Sequence, residues 1–231
     1  MKKTRAWIAL TVAIFMLSAC GQPEFTYVRD REGSTYFKVP SSFTQLNAYP
    51  IELYLSGDHP NSQAAQLRAQ RVWSTAFDQS AQPSVAHLLG SADPFVYSTV
   101  HKLTDEQRDA ISLDRLRDFI LPVTEQVREV YVARAMQSGQ SPLFHHFELI
   151  SDEPVVLEQG ARGVRVRFNY QIGNDVQTFD QTALLDERGA MVSVLVITCQ
   201  SVCYRQRAAE FDKITETFKL LRLPGWMKEL Q

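Results

Sequence analysis

Two adjacent histidines, His145 and His146, are the side chains in this sequence whose type best suits metal chemistry. If the stretch FHHFEL around them is a strand, neighbouring side chains point to opposite faces, so the two imidazoles cannot bind one ion. His87 and His101 have no cysteine or carboxylate at ligand spacing, and Asp58 lies in a Gly-Asp-His-Pro turn, where it is suited to cap the backbone. We therefore predict no metal site and no cofactor.

Catalytic motifs are also missing from the sequence. Its 231 residues contain no G-x-S-x-G elbow, no P-loop, no H-E-x-x-H and no G-x-G-x-x-G. Since no side chain can be assigned a catalytic role, the sequence favours a binding function over a catalytic one.

The first twenty residues have the pattern of an export signal. Residues 1–5 are basic without an acid, and residues 6–17 are apolar; as a helix this apolar run covers roughly 18 Å, too little for a hydrocarbon core of about 30 Å. The run ends in Leu17-Ser18-Ala19-Cys20, which resembles the bacterial lipobox, the recognition site of the lipoprotein signal peptidase. The resemblance implies that residues 1–19 are removed and that the sulfur of Cys20 carries a diacylglyceryl group. A plain A-x-A cleavage site fits less well, because Leu17 stands where a small residue is wanted.

A lipidated Cys20 predicts a protein anchored to the cell membrane or the outer membrane on its extracytoplasmic side. Two or more acyl chains, at about 0.8 kcal/mol per buried methylene, anchor a protein stably. Residues 20–34 are then a polar tether. Removal of Lys2, Lys3 and Arg5 shifts the formal net charge from −2 to −5, which argues against nucleic acid and anionic lipid as partners.

Cys199 and Cys203 fit the same compartment, because disulfides persist in exported proteins. In a straight strand the C-x-x-x-C spacing covers roughly 13 Å, which is too far for a bond, but a turn can bring the two Cα atoms within about 4.4 to 6.8 Å. We expect a disulfide. A metal site is the alternative, although two thiols with no adjacent histidine supply few ligands.

Three further residues are candidates for binding a partner. Arg165 and Arg167 share one face of a predicted strand and could meet an acidic partner or an anionic ligand. The alternative is that acidic side chains of neighbouring elements cover this face. Trp226, beyond the last helix, is a candidate interface anchor, or it packs back onto the body.

The order of predicted elements indicates an α+β domain. Alternation and β-branched content predict strands at 72–78, 95–103, 164–170, 176–185 and 191–198, and the last of these is apolar on both faces. One helix follows a cap at Asn61 or Ser62, with Ala64, Leu67 and Arg71 on one face. A capping box at Thr104 and Gln107 opens a second, a third covers 113–130 with a kink or break at Pro122, and the closing helix begins near Tyr204 and ends before Pro224.

The pieces YFKVPSSF, the meander over residues 164–198 and FDKITETFKL resemble the PsbP-like family, named for an extrinsic subunit of photosystem II. The resemblance implies a single-domain antiparallel sheet with helices packed on its faces, an α/β/α sandwich over residues 35–223, followed by a tail at 224–231. Members of this family mostly bind or assemble other proteins and share no common active site.

The anchor and the resemblance together predict a non-catalytic binding or assembly module of the cell envelope. Its expected contacts are the membrane, through the N-terminal lipid, and an unidentified envelope protein. An envelope enzyme of hydrolase type and a small-molecule carrier, each with an unrecognised site, are the alternatives.

Overall fold

Antiparallel strands form most of the body of the protein. The computed structural model describes residues 23–157 and 160–221. Its strands are β1 (Phe25–Arg29), β2 (Thr35–Pro40), β3 (Thr44–Leu46), β4 (Val72–Asp78), β5 (Phe95–Lys102), β6 (His145–Val156), β7 (Arg162–Ile172), β8 (Asp175–Leu185), β9 (Met191–Gln200) and β10 (Lys219–Leu220). Its α-helices are α1 (Tyr49–Ser56), α2 (Gln63–Arg71), α3 (Asp105–Ala110), α4 (Leu113–Arg117), α5 (Glu125–Gln137) and α6 (Ser201–Thr217), and a short 3-10 helix spans Val85–Leu88.

The strands form two sheets. A seven-stranded antiparallel sheet has the order β3-β4-β5-β9-β8-β7-β6, and a three-stranded sheet has the order β1-β2-β10. The predicted α+β class, with an antiparallel sheet and helices on its faces, is confirmed. The small sheet was not predicted, because β10 is two residues long and pairs with a strand more than 180 residues earlier in the chain.

The central strand β9 explains how the layers are held together. It lies between β5 and β8 and is buried on both faces, as its unbroken apolar sequence predicts. Val194 and Val196 face a core cluster under α1, α4 and the segment that follows α4, whereas Leu195 and Ile197 face a second cluster under α6 and the small sheet. The large sheet is therefore the middle layer of a sandwich.

The helix predicted over residues 113–130 is two helices. α4 ends at Arg117, and the carboxylate of Asp118 then accepts hydrogen bonds from the backbone N–H groups of Val123 and Thr124, both at 2.7 Å. Pro122 lies inside this turn, where its missing N–H costs nothing. The interruption expected at Pro122 is therefore a full break, and α5 starts after it.

Two boundaries differ from the prediction. The assigned tether, residues 20–34, contains β1, which pairs with β2 and buries Val28; the body therefore starts earlier than residue 35, because Phe25 to Arg29 has enough apolar content to form an edge strand. The last helix ends at Thr217 instead of continuing to Leu221, because Lys219 and Leu220 form β10. The predicted stop at Pro224 lies outside the described residues.

Candidate functional site

A concave cleft of about 460 Å³ lies where β5 ends, between α2 and the α3–α4 segment. We call it the basic cleft. It is lined by Ala64, Leu67, Arg68, Arg71, Val72, His101, Lys102, Leu103, Gln107, Ile111, Arg115, Asp118 and Phe119. Four of these side chains are cationic at neutral pH, one is anionic, and the rest of the wall is largely apolar.

Helix α2 supplies one wall of the basic cleft. The hydroxyl of Ser62 accepts a hydrogen bond from the N–H of Ala65 at 3.1 Å and so starts the helix. From this start, Leu67 and Arg71 lie one turn apart on the face that points to the cleft. Ala65, on another face, is buried against the body. The face that the sequence predicted for Ala64, Leu67 and Arg71 is thus the wall of this cleft.

The opposite wall is positioned by two helix caps. Thr104 and Gln107 form the predicted capping box at the start of α3, with both reciprocal hydrogen bonds present. The hydroxyl of Ser112 accepts a hydrogen bond from the N–H of Arg115 at 3.2 Å and starts α4. These caps fix the backbone from which Arg115 extends into the cleft.

Two of the four cations have acidic partners. Arg68 pairs with Asp58 at 2.7 Å, and Lys102 pairs with Glu32. Arg71 and Arg115 are exposed and form no ion pair within residues 23–157 and 160–221. Among the described residues, the basic cleft therefore presents two guanidinium groups that have no acidic partner.

The single acid in the lining does not neutralise these arginines. The carboxylate of Asp118 accepts two backbone hydrogen bonds, as described above, and also one from the hydroxyl of Thr124 at 2.6 Å. A carboxylate held by three donors is already solvated by the protein. With four cations and this one carboxylate among its lining residues, the cleft is an electropositive site with an apolar wall.

His101 lines the same cleft and is electrically neutral at physiological pH. Its ring packs edge-on against Phe119, with centroids 4.8 Å apart. Burial and, to a smaller extent, the nearby charge of Arg68 together lower the pKa of His101 from 6.5 to about 4. No hydrogen bond orients the imidazole in the part of the chain that the structure describes, so it lacks the partner that a catalytic base normally has.

A smaller cavity of about 180 Å³ lies on the other side of Arg68 and contains a buried acid. Glu52 is 7% exposed and accepts hydrogen bonds from the hydroxyls of Tyr97 and of Thr99, the latter at 3.2 Å. Burial raises the pKa of Glu52, and these hydrogen bonds only partly offset the effect. Burial beside this carboxyl also raises the pKa of Tyr97 well above its usual value. This network fixes α1 to β5.

Arg165, a predicted binding residue, lies inside an ion network beneath α6. Its guanidinium donates to both carboxylate oxygens of Asp180, at 2.9 and 2.5 Å, and to Asp212 at 2.6 Å. The hydroxyl of Tyr204 donates to Asp180 at 2.6 Å. Burial lowers the pKa of Arg165, but the two carboxylates outweigh it and raise that pKa above its usual range. This is the alternative that the sequence left open, a face covered by acidic neighbours.

Arg167 is also engaged within the protein. It donates to the hydroxyl of Ser151 at 2.9 Å and to the carboxylate of Glu153 at 3.0 Å, both on the edge strand β6. Arg165 and Arg167 therefore join β7 to its neighbours, and neither lines the basic cleft. The third candidate, Trp226, and the predicted lipidation site, Cys20, lie outside the described residues.

Cys199 and Cys203 join the end of β9 to the first turn of α6. The structure has a disulfide between them, with Cα atoms 6.1 Å apart. The turn that the prediction required is the strand-to-helix junction at Gln200, where α6 begins. The bond ties the helix over Arg165 to the central strand.

The histidine pair lies at an irregular point of β6. His146 has a φ of +48°, and the register between β6 and β7 shifts between His145 and Glu148. The rings of His145 and His146 are 6.5 Å apart. Among the described residues, no group of three or more His, Cys, Asp or Glu side chains is placed to hold a metal ion. In the same part of the chain, no helix is both long and apolar enough to cross a bilayer.

The sequence singled out Arg71 but missed its neighbours in the cleft. His101, Lys102 and Arg115 belong to different elements, and only the pairing of β4 with β5 and the packing of α4 bring them to α2. The one sequence signal for the site is the mixed apolar and basic face of α2. The caps at Thr104 and Ser112 predicted the helices, but not the direction in which they face.

Comparison with solved structures defines the fold. The chain is similar to CyanoP, the cyanobacterial PsbP of Synechocystis sp. PCC 6803, with a TM-score of 0.51 and 10% identity over 88% of this chain and 96% of that one. It is less similar to LpqN of Mycobacterium tuberculosis (TM-score 0.47, 14% identity, 87% of this chain and 93% of that one). Mog1p of Saccharomyces cerevisiae gives a TM-score of 0.39 at 7% identity, over 85% of this chain and 95% of that one. No protein-family model and no curated protein matches the sequence.

The protein therefore has the PsbP-like α+β fold. Of the three likenesses, the one to CyanoP is strong enough to define that architecture, and at 10% identity it carries no site residue with it. What the protein binds has to be inferred from the basic cleft itself.

Proposed function

We propose that this protein is a binding module of the cell envelope, held at a membrane by lipid on Cys20, which binds an anionic ligand in the basic cleft. The observation that carries the proposal is the pair of exposed arginines, Arg71 and Arg115, that face an apolar-walled cavity without an ion-pair partner in the described chain. Guanidinium groups bind carboxylate and phosphate through two parallel hydrogen bonds. Concave apolar walls bury the remainder of a ligand.

The distribution of charge supports a local site and not a general attraction to polyanions. After removal of residues 1–19 the chain has a formal net charge of −5, so the surface outside the cleft repels anions on balance. A ligand is then held at the cleft by its fit to the arginines and to the apolar wall, of which Leu67, Leu103 and Phe119 are part.

A fluorescent anion tests the cleft directly. We expect the full-length protein in detergent to bind anilinonaphthalene sulfonate, whose sulfonate and aromatic rings match the arginines and the apolar wall. Arg71→Gln with Arg115→Gln should weaken binding about tenfold, since each exposed ion pair contributes roughly 0.5 to 1 kcal/mol. Binding that does not change in this double variant would refute the proposal.

A matched control comes from two arginines elsewhere. Arg134 on α5 and Arg205 on α6 are exposed and do not line the cleft. Arg134→Gln with Arg205→Gln removes the same charge, so it should leave the affinity within about twofold.

The anchor has its own test. Cys20→Ser removes the sulfur to which the lipid would be attached, so we expect the variant to leave the membrane fraction and to lack the mass of the acyl chains. An identically processed protein that still sediments with membranes would contradict the anchor and leave the cleft untouched. Replacing Cys203, which the anchor does not involve, serves as the control thiol substitution.

A hydrolase is the second candidate function, and the lowered pKa of His101 in a cleft is the observation in its favour. A histidine that remains neutral can accept a proton from water or from a hydroxyl group. Turnover of nitrophenyl esters that His101→Gln abolishes would establish this function. Equal turnover by the wild type and by His101→Gln would exclude His101 as the general base.

A further inference from the structure

A second cavity, of about 430 Å³, lies on the opposite side of α3 from the basic cleft. Its lining includes Arg108, Arg162, Leu185 and Arg188. Ile111, directly after α3, lines both cavities. No residue of α3 is buried, and this short helix stands between the two open spaces.

The second cavity also contains arginines that have no acidic partner in the described part of the chain. Arg108 pairs with Asp105 at 3.4 Å and donates to the backbone oxygen of Arg188 at 3.2 Å. The guanidinium groups of Arg162 and Arg188 form no ion pair among the residues that the structure describes. Asp109, on α3, is the remaining acid in the lining. Three arginines thus face two aspartates in this cavity, so its lining, like that of the basic cleft, is positive on balance.

We propose that the two cavities are halves of one groove that holds an extended acidic polypeptide segment of an envelope protein. This inference rests on the proposed function, because it names the ligand class of the same site. Carboxylates along such a segment reach the arginines of each cavity, and an apolar side chain between them covers Ile111. An extended chain of about ten residues spans roughly 33 Å, which exceeds the diameter of a helix, about 10 to 12 Å with its side chains, so such a segment is long enough to contact both sides of α3.

The shape of the groove favours an extended polypeptide segment over a membrane surface as its ligand. The arginines line concave spaces on both sides of α3, and a flat layer of headgroups does not enter such spaces. Recognition of an extended segment by a groove with apolar and charged positions is a recurring mode of peptide binding. Charge complementarity then selects acidic segments.

Peptides of two lengths test the groove. The probes are dye-labelled peptides of alternating glutamate and leucine, one of about ten residues and one of about four, which span roughly 33 and 13 Å. Affinities are measured by fluorescence anisotropy with the full-length protein in detergent. Peptides with glutamine for glutamate, or serine for leucine, separate the contributions of charge and of apolar contact.

The two cavities should respond differently to peptide length. Reversal of Arg162 and Arg188 to glutamate should weaken the long peptide about tenfold and leave the short one, bound in the basic cleft, within about twofold. Reversal of Arg71 and Arg115 should weaken both peptides about tenfold. The same reversal at Arg134 and Arg205 is the control and should change neither.

Each failure has a distinct meaning. If the fluorescent anion binds the basic cleft but reversal of Arg162 and Arg188 leaves the long peptide unaffected, the groove is overturned and the proposed function stands. If neither anion nor peptide responds to Arg71 and Arg115, both fail. If anionic vesicles or an oligonucleotide displace the long peptide and the serine peptide binds equally well, the occupant is not a polypeptide.

Discussion

Protonation of His101 should destabilise the protein as the pH falls below neutral. In the folded state burial lowers its pKa from 6.5 to about 4, whereas in the unfolded chain the imidazole keeps the value of 6.5. Between these two values the unfolded state binds more protons than the folded state, so the free energy of unfolding decreases as the pH decreases. The contribution of neutral His101 to the free energy of unfolding is therefore complete above pH 6.5. It is lost progressively toward pH 4 and does not change further below that pH.

The size of this effect follows from the same two pKa values. One unit of pKa difference corresponds to about 1.36 kcal/mol. At about pH 5 the titration of His101 should therefore have lowered the free energy of unfolding by roughly 2 kcal/mol relative to neutral pH. The ring lines an open cleft, and solvent there makes this figure an upper value.

Urea unfolding at several pH values measures the effect. Because many carboxylates titrate in the same range, the quantity to compare is the difference between the wild-type protein and His101→Gln, which cannot be protonated. The wild type should lose about 2 kcal/mol more than the variant between about pH 7.5 and pH 5. His145→Gln, at an exposed position on β6, is the matched control and should follow the wild type.

The direct readout is the protonation state of His101 by nuclear magnetic resonance. We expect its imidazole to remain neutral well below pH 6.5, down to a pH of about 4. Titration of His101 near 6.5, or parallel stability profiles for wild type and His101→Gln, would show that the ring is not desolvated as described.

Three further substitutions test how the layers are held together. Arg165→Met should lower the free energy of unfolding by about 3 to 5 kcal/mol, because it leaves the buried Asp180 without its cation. Gly163→Ala should cost about 1 to 3 kcal/mol, since an added Cβ would lie 1.9 Å from a backbone oxygen of β8. Cys203→Ser should cost about 2 kcal/mol, the loop-closure entropy of a disulfide across a sequence separation of four.

Each of these changes has a control, and urea unfolding measures all of them. Arg167→Met removes a more exposed cation and should cost less than about 1 kcal/mol, so equal losses at the two arginines would contradict the network. In Gly90→Ala the added Cβ would lie 3.9 Å from a single side-chain atom, so the free energy of unfolding should hardly change. A loss as large as that of Gly163→Ala would show that the backbone clash at Gly163 is not the cause. With a reductant present, the free energy of unfolding of the wild type should fall to that of Cys203→Ser. If the two proteins still differ, the loss in the variant comes from the serine side chain and not from the missing disulfide.

The regular elements were predictable because their determinants are local. The capping box of Thr104 and Gln107 depends on two residues three positions apart, and the alternation of buried and exposed side chains along β7 depends on residues two positions apart. The break at Pro122 follows from one residue. These patterns are sufficient to derive the α+β class, since hairpin loops between β7, β8 and β9 force antiparallel pairing.

The site was not predictable to the same degree, because its cations come from separate elements. Arg71 was visible on a helix face, but Arg115 and Lys102 reach it only through tertiary packing. Arg165 was misleading for the same reason. Its acidic partners Asp180 and Asp212 are 15 and 47 residues away in sequence, so the sequence could not show that its charge is already compensated.

The position of β1 limits how far an anchored body can stand from the bilayer. β1 begins at Phe25, five residues after Cys20, and five residues span at most roughly 18 Å. A tether that ran to residue 34 would have allowed roughly 48 Å. If Cys20 is lipidated as proposed, the body works within a short radius of the headgroups, and any partner segment has to be presented at that same height above the bilayer.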